Sequence, residues 1–251
     1  MITRRDLLLG VGGLSALLLP GVSWAQGTLD RSHRPEFDLP LLAQDGTAIP
    51  VTISVDHPME PDHYIKSIDV VIETDPVPHK GKFHFTPANG KAYFAFQMRS
   101  GVGGPVKAIV ECSRHGSFVG MQDVRVVPGG CTVAPDKVTK ERLGNPMLRI
   151  PRSVKRGEVI EVRTKVDHNS YTGLVEENGK FVRAAPEFYV KNMSVYLGDR
   201  KVAEYEMTSA VSPNPLIRFP LRVTEEGLLR VVFVNNEGQR WETSQPVKFS
   251  S

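Results

Sequence analysis

The sequence is poor in the signals that announce an enzyme. It holds two cysteines and seven histidines. They form no Cys-x-x-Cys redox pair, no Cys-x-x-Cys-His haem attachment, no His-Glu-x-x-His helix and no ligand pair at zinc spacing. There is no Ser–His–Asp signature, no phosphate-binding Walker loop and no paired carboxylates in a catalytic frame. Asp167-His168 are neighbours at a strand end, where successive side chains point to opposite faces, so they make a poor dyad. Neither half shows a sustained helical period. Net charge is only +3, and no basic stripe stands out, which argues against nucleic acid as a partner.

What is present begins at the N-terminus. Thr3-Arg4-Arg5-Asp6 precedes an apolar, glycine-bearing run to Pro20, and Val22-Ser23-Trp24-Ala25 supplies a small-x-small cleavage signal. Residues 1–25 therefore read as a signal peptide. The twin arginine fits Tat export of a folded protein to the periplasm. Losing Arg4, Arg5 and Asp6 takes the charge from +3 to +2. Nothing later reaches the length of a membrane span, so the mature protein is expected to have none.

Beyond the signal the chain alternates apolar and polar residues with a period of two. Val51, Ile53 and Val55 share one face; Ile68, Val70 and Ile72, Phe83 and Phe85, and Phe94, Phe96 and Met98 repeat the pattern. After residue 146 come Ile160, Val162, Thr164 and Val166, then Met193, Val195 and Leu197, then Leu229, Val231 and Phe233. Turn signals separate them at Asp45-Gly46, Asn89-Gly90, Asn178-Gly179 and Gly198-Asp199. Many short strands at this spacing predict an all-β chain of two immunoglobulin-like antiparallel β-sandwiches. The expected division is 36–128, a linker over 129–146, and 147–251.

Gly129-Gly130-Cys131 opens that linker, which continues through Pro135 and a charged run from Asp136 to Arg142. Glycine has no Cβ to clash and visits positive φ freely, so two of them ahead of a thiol suit a sulfur that must enter a partner's cleft. Cys131 is the expected covalent attachment point, with Gly129 and Gly130 supplying arm flexibility. Cys112 sits where a strand over 106–111 meets the turn Ser113-Arg114-His115-Gly116, and it reads as a buried structural residue. The return strand, at ~3.3 Å per residue, puts the two sulfurs on the order of 40 Å apart, too far for a disulfide. His57, His63, His79, His84, His115 and His168 match no metal spacing, so no metal site is expected.

Several of these segments together resemble a known family. Ile49-Pro50-Val51-Thr52-Ile53-Ser54-Val55, Tyr64-Ile65-Lys66-Ser67-Ile68, Phe83-His84-Phe85-Thr86-Pro87, Gly116-Ser117-Phe118 and Gly129-Gly130-Cys131 resemble SoxY, the sulfur carrier of periplasmic thiosulfate oxidation. Arg156-Gly157-Glu158-Val159-Ile160-Glu161-Val162-Arg163-Thr164, His168 with Thr172-Gly173, and Asn214-Pro215-Leu216 resemble its partner SoxZ. The resemblance implies a fused, non-catalytic carrier, with no cofactor beyond a covalent sulfur adduct on Cys131. In SoxY the cysteine lies in a terminal Gly-Gly-Cys-Gly-Gly arm. Here Thr132-Val133 replaces the distal glycines and the arm is internal. Fused chains of this kind also resemble a group found with periplasmic quinoprotein dehydrogenases. The implied partners are therefore periplasmic sulfur-oxidation enzymes or, in the alternative, a quinoprotein dehydrogenase or cytochrome for which the chain is an adaptor and Cys131 is vestigial.

Overall fold

The computed structural model describes residues 31–127 and 143–250. Cys131, Gly129, Gly130 and the signal segment 1–25 lie outside the described residues.

The first half contributes β1 (Pro35–Asp38), β2 (Leu42–Ala43), β3 (Ile49–Val55) and β4 (Ile65–Val71). It continues with β5 (His79–Phe85), β6 (Ala92–Met98), β7 (Gly103–Cys112) and β8 (Gly116–Val126). The second half begins with β9 (Gly144–Arg149), β10 (Val159–Asp167), β11 (Leu174–Glu177) and β12 (Lys180–Arg183). It ends with β13 (Val190–Leu197), β14 (Arg200–Met207), β15 (Leu216–Arg222), β16 (Gly227–Asn235) and β17 (Arg240–Val247). The all-β, two-sandwich expectation is met.

Alternation explains the strands. In β3, Ile49, Val51, Ile53 and Val55 are buried, while Pro50 is exposed and Thr52 and Ser54 are half-covered. The predicted turn at Asn178-Gly179 closes the β11–β12 hairpin with φ of 52° and 74°, the left-handed pair that a tight hairpin requires. Two bulges bend β4, between Ile65 and Ser67 against β7 and between Val70 and Val71 against β5.

The two halves do not simply sit side by side on a tether. They share both sheets. One sheet runs β1-β3-β6-β15-β10-β9 and the other β17-β16-β13-β14-β5-β4-β7-β8-β2. In the larger sheet β5 and β14 pair antiparallel over five positions, from Phe85↔Ala203 to Gly81↔Met207. In the smaller sheet one pair, Ala95↔Arg218, joins β6 to β15. Among the described residues every strand ladder is antiparallel except β2 with the end of β8, and an isolated bridge between Val154 and Phe249 is also parallel.

The apolar core is correspondingly continuous. Phe83 stacks on Phe94 at 5.0 Å and lies 5.8 Å from both Tyr205 and Phe219 of the second half. Such ring pairs add ~0.5–1.5 kcal/mol each beyond the area they bury. Hydrogen bonds also cross the junction: Thr86 Oγ1 donates to the Val202 carbonyl at 2.9 Å, Asn89 Nδ2 to the Pro220 carbonyl at 2.9 Å, and Ser212 Oγ to the Thr47 carbonyl at 2.7 Å. This interior resembles a domain core more than a transient contact.

Candidate functional site

Two places draw attention, at opposite ends of β8. At its C-terminal end the chain leaves for the linker. Here Arg125 N–H donates to the Leu41 carbonyl at 2.9 Å and Val127 N–H to that of Ala43 at 3.1 Å, and Gly103 pairs with Arg125 on the other side. Leu41, Leu42, Val102 and Val127 are all exposed around this root, by 74%, 57%, 51% and 48%. Four apolar side chains left in water at one spot are the mark of a contact surface.

At the opposite end lies a cluster that chain spacing did not reveal. Cys112 closes β7, and His115 stands in the turn before β8. His57 follows β3, His63 follows a turn that bridges back to Glu60, and His33 precedes β1. Packing of β1 across β8 brings His33 onto Phe118, ring over ring at 4.3 Å. Arg114 ties the two turns together: its Nε donates to the Asp62 carbonyl at 2.9 Å and its Nη2 pairs with the Asp62 carboxylate.

The resulting geometry is a closed ring of nitrogens. His57 Nε2 lies 3.1 Å from His33 Nε2 and 3.1 Å from His63 Nε2. His115 Nδ1 completes the ring at 3.2 Å from His63 Nε2 and 3.2 Å from His33 Nε2. Cys112 Sγ stands 3.8 Å from the His57 and His115 nitrogens. All five donor atoms lie within 4.8 Å of one another.

Protonation follows from the neighbours. His57 Nδ1 sits 2.5 Å from the Pro58 carbonyl, which only accepts, so the proton is on Nδ1. Nε2 is left with a lone pair facing two imidazole nitrogens and the thiol. Burial pushes the His57 and His63 imidazoles below their ordinary pKa, and the other rings of the cluster push the same way.

The absence of a metal site was expected from spacing alone, and Cys112 was expected to be merely structural. The fold gathers ligand-type side chains from four separated segments instead. Cys112 is indeed buried, and its thiol is free, but its neighbours are imidazoles. The one local signal was Cys112-Ser113-Arg114-His115, a Cys-x-x-His step across a tight turn. The other histidines stay apart. His84 pairs with Glu206 at 2.8 Å and His79 with Asp69 at 3.4 Å. His168 is fully buried against Phe188 and 2.9 Å from Ser170 Oγ, while Asp167 meets Asn145 and Lys165.

Comparison with known proteins places this framework. The family described as sulfur oxidation protein SoxY matches residues 25–131, and that described as sulphur oxidation protein SoxZ matches residues 148–246. The chain belongs to the SoxYZ family. Both subunits are present in one polypeptide, and the SoxY half and SoxZ half are those of a sulfur-oxidation carrier protein that works with sulfur-oxidation enzymes. No curated protein matches the sequence. Among solved structures, a superoxide reductase (neelaredoxin) variant from Ignicoccus hospitalis is 23% identical over 42% of this chain and 89% of its own, with a TM-score of 0.39. A putative superoxide reductase from Thermotoga maritima is 17% identical over 42% and 86%, at 0.33. A glycosyl hydrolase family 2 member from Bacteroides cellulosilyticus covers 82% of this chain with 25% of its own, at 11% identity and 0.23. Among the described residues no helix is long and apolar enough to cross a membrane.

Proposed function

We propose that this SoxYZ fusion is a non-enzymatic periplasmic carrier, exported by residues 1–25, that holds a sulfur intermediate covalently on Cys131. The observation that carries the reading is the SoxY match itself, which ends on Cys131, with Gly129-Gly130 directly before it. The apolar root formed by Leu41, Leu42, Val102 and Val127 supports it, because an enzyme reaching for the arm would dock there. Fusion makes the SoxY–SoxZ pairing intramolecular, which removes its concentration dependence.

The second reading is an adaptor for a periplasmic quinoprotein dehydrogenase or cytochrome, with Cys131 idle. Thr132-Val133 in place of the distal glycines is what favours it. Sulfur loading separates the two. The Cys131 thiolate attacks a sulfane sulfur of an inorganic polysulfide, gaining a persulfide and releasing a polysulfide shorter by that sulfur. A carrier takes up whole sulfur atoms on the Cys131 peptide, readable by mass, while buried Cys112 takes up none. A protein that stays unloaded under conditions that persulfidate a free thiol peptide supports the adaptor.

A further inference from the structure

From the convergence of four imidazoles and one thiol at the β7–β8 tip, we infer that His33, His57, His63, His115 and Cys112 form a five-ligand transition-metal centre, with iron(II) as its ion. The edge lengths of the nitrogen ring set the scale. With neighbours 3.1–3.2 Å apart, the middle of the ring lies about 2 Å from every nitrogen whether the ring is flat or puckered. That is a metal–imidazole bond length of ~2.0–2.1 Å. An ion drawn slightly out of the ring toward Cys112 Sγ reaches the sulfur as well.

Hydrogen bonding alone does not account for the ring. Each of the four nitrogens faces two others, and a ring nitrogen has one proton or one lone pair to offer. His57 Nε2 has only the lone pair. A cation at the centre satisfies all five donors at once. The peripheral contacts are those of ligand positioning: the Pro58 carbonyl fixes the His57 tautomer, Ser32 Oγ lies 3.0 Å from His33 Nδ1, and Arg114 clamps the turn carrying His115.

The donor set selects the ion. It holds no oxygen ligand, which excludes calcium, magnesium and manganese. Structural zinc closes its shell at four donors, and a trigonal copper site uses two imidazoles and a thiolate. Four imidazoles plus a thiolate leave one position of an octahedron, the arrangement for iron(II). That sixth position is free for a small ligand.

The centre stands apart from the carrier cysteine. The cluster is at the Gly116 end of β8, whose eleven residues extend roughly 35 Å at ~3.3 Å each. Four residues from Val127 to Cys131 span at most ~14 Å. Cys131 therefore cannot be one of the ligands, and the two sites can fail independently.

The test uses the full mature chain, reduced and titrated anaerobically with iron(II), and with cobalt(II) and zinc(II) in parallel. One iron per chain is expected, and one-electron oxidation with hexachloroiridate should produce a visible thiolate-to-iron(III) charge-transfer band. Cys112→Ser should abolish the band and Cys131→Ser should leave it intact. His115→Ala, an exposed change that the fold tolerates, should weaken binding by more than the ~10–100-fold that loss of an outer partner costs. The cobalt(II) protein should show a sulfur-to-cobalt band with the weak d–d intensity of five or six ligands. Folded wild-type protein that takes up none of the three ions overturns the inference. So does a band surviving Cys112→Ser, or uptake of zinc without iron.

Discussion

Cys131→Ser should remove the entire covalent load while leaving the melting temperature within about one degree of wild type. Serine keeps the size and backbone preferences of cysteine but cannot form a persulfide, so the effect on carrying is all or none. The stability half of the expectation comes from where the two halves are joined. The ladders that unite them belong to β5 with β14 and β6 with β15, and the aromatic packing around Phe83 belongs to strands on either side of the linker. Surface substitutions away from such features usually fall within ±0.5 kcal/mol. Thermal unfolding followed by circular dichroism, beside a polysulfide-loading assay, checks both parts. A variant that still loads, or that melts many degrees lower, contradicts the assignment.

Gly81→Ala should severely destabilise the junction between the two halves. Gly81 ends the inter-half ladder opposite Met207 and has φ of +138°, a region that side chains rarely enter. A Cβ there would lie 2.5 Å from the Glu206 carbonyl oxygen and 2.7 Å from the Tyr205 ring, neither of which can retreat from a paired, buried strand. Backbone strain of this kind costs ~1–3 kcal/mol, and the clash adds to it, so a loss of about 3 kcal/mol or more is expected. Because both sheets and the core run through the junction, wild-type protein should unfold in urea as one unit. The variant should shift that midpoint down or split it into two transitions, one for each half. An unchanged midpoint would mean that the junction is not part of the cooperative core.

Periodicity made much of the fold readable. Alternation located β3, β6 and β10, and Asn178-Gly179 and Gly198-Asp199 marked real hairpins, because those signals are local. Partner choice is not local. Arg200–Met207 carries Glu204 and Glu206 between Ala203, Tyr205 and Met207, an ordinary two-faced strand whose sequence does not say that it will pair with β5. The shared sheets were for that reason invisible. The same limit hid the histidine cluster. Its nitrogens come from residues 33, 57, 63 and 115, and only the step from Cys112 to His115 is short enough to resemble a motif. His33 precedes the first strand and reaches the others only because β1 lies across β8. The expectation for Cys131, by contrast, rests on a local signal, the two glycines directly before it.

Cys131 is expected to carry sulfur in the cell. The most direct test is the intact mass of the protein isolated from its own periplasm, measured before and after a thiol reductant, with the shifted peptide identified. A reductant-labile gain of whole sulfur atoms or a sulfur-containing group on the Cys131 peptide is expected. A bare, freely alkylated Cys131 in protein taken from cells oxidising sulfur would contradict it, and would shift the case to the adaptor.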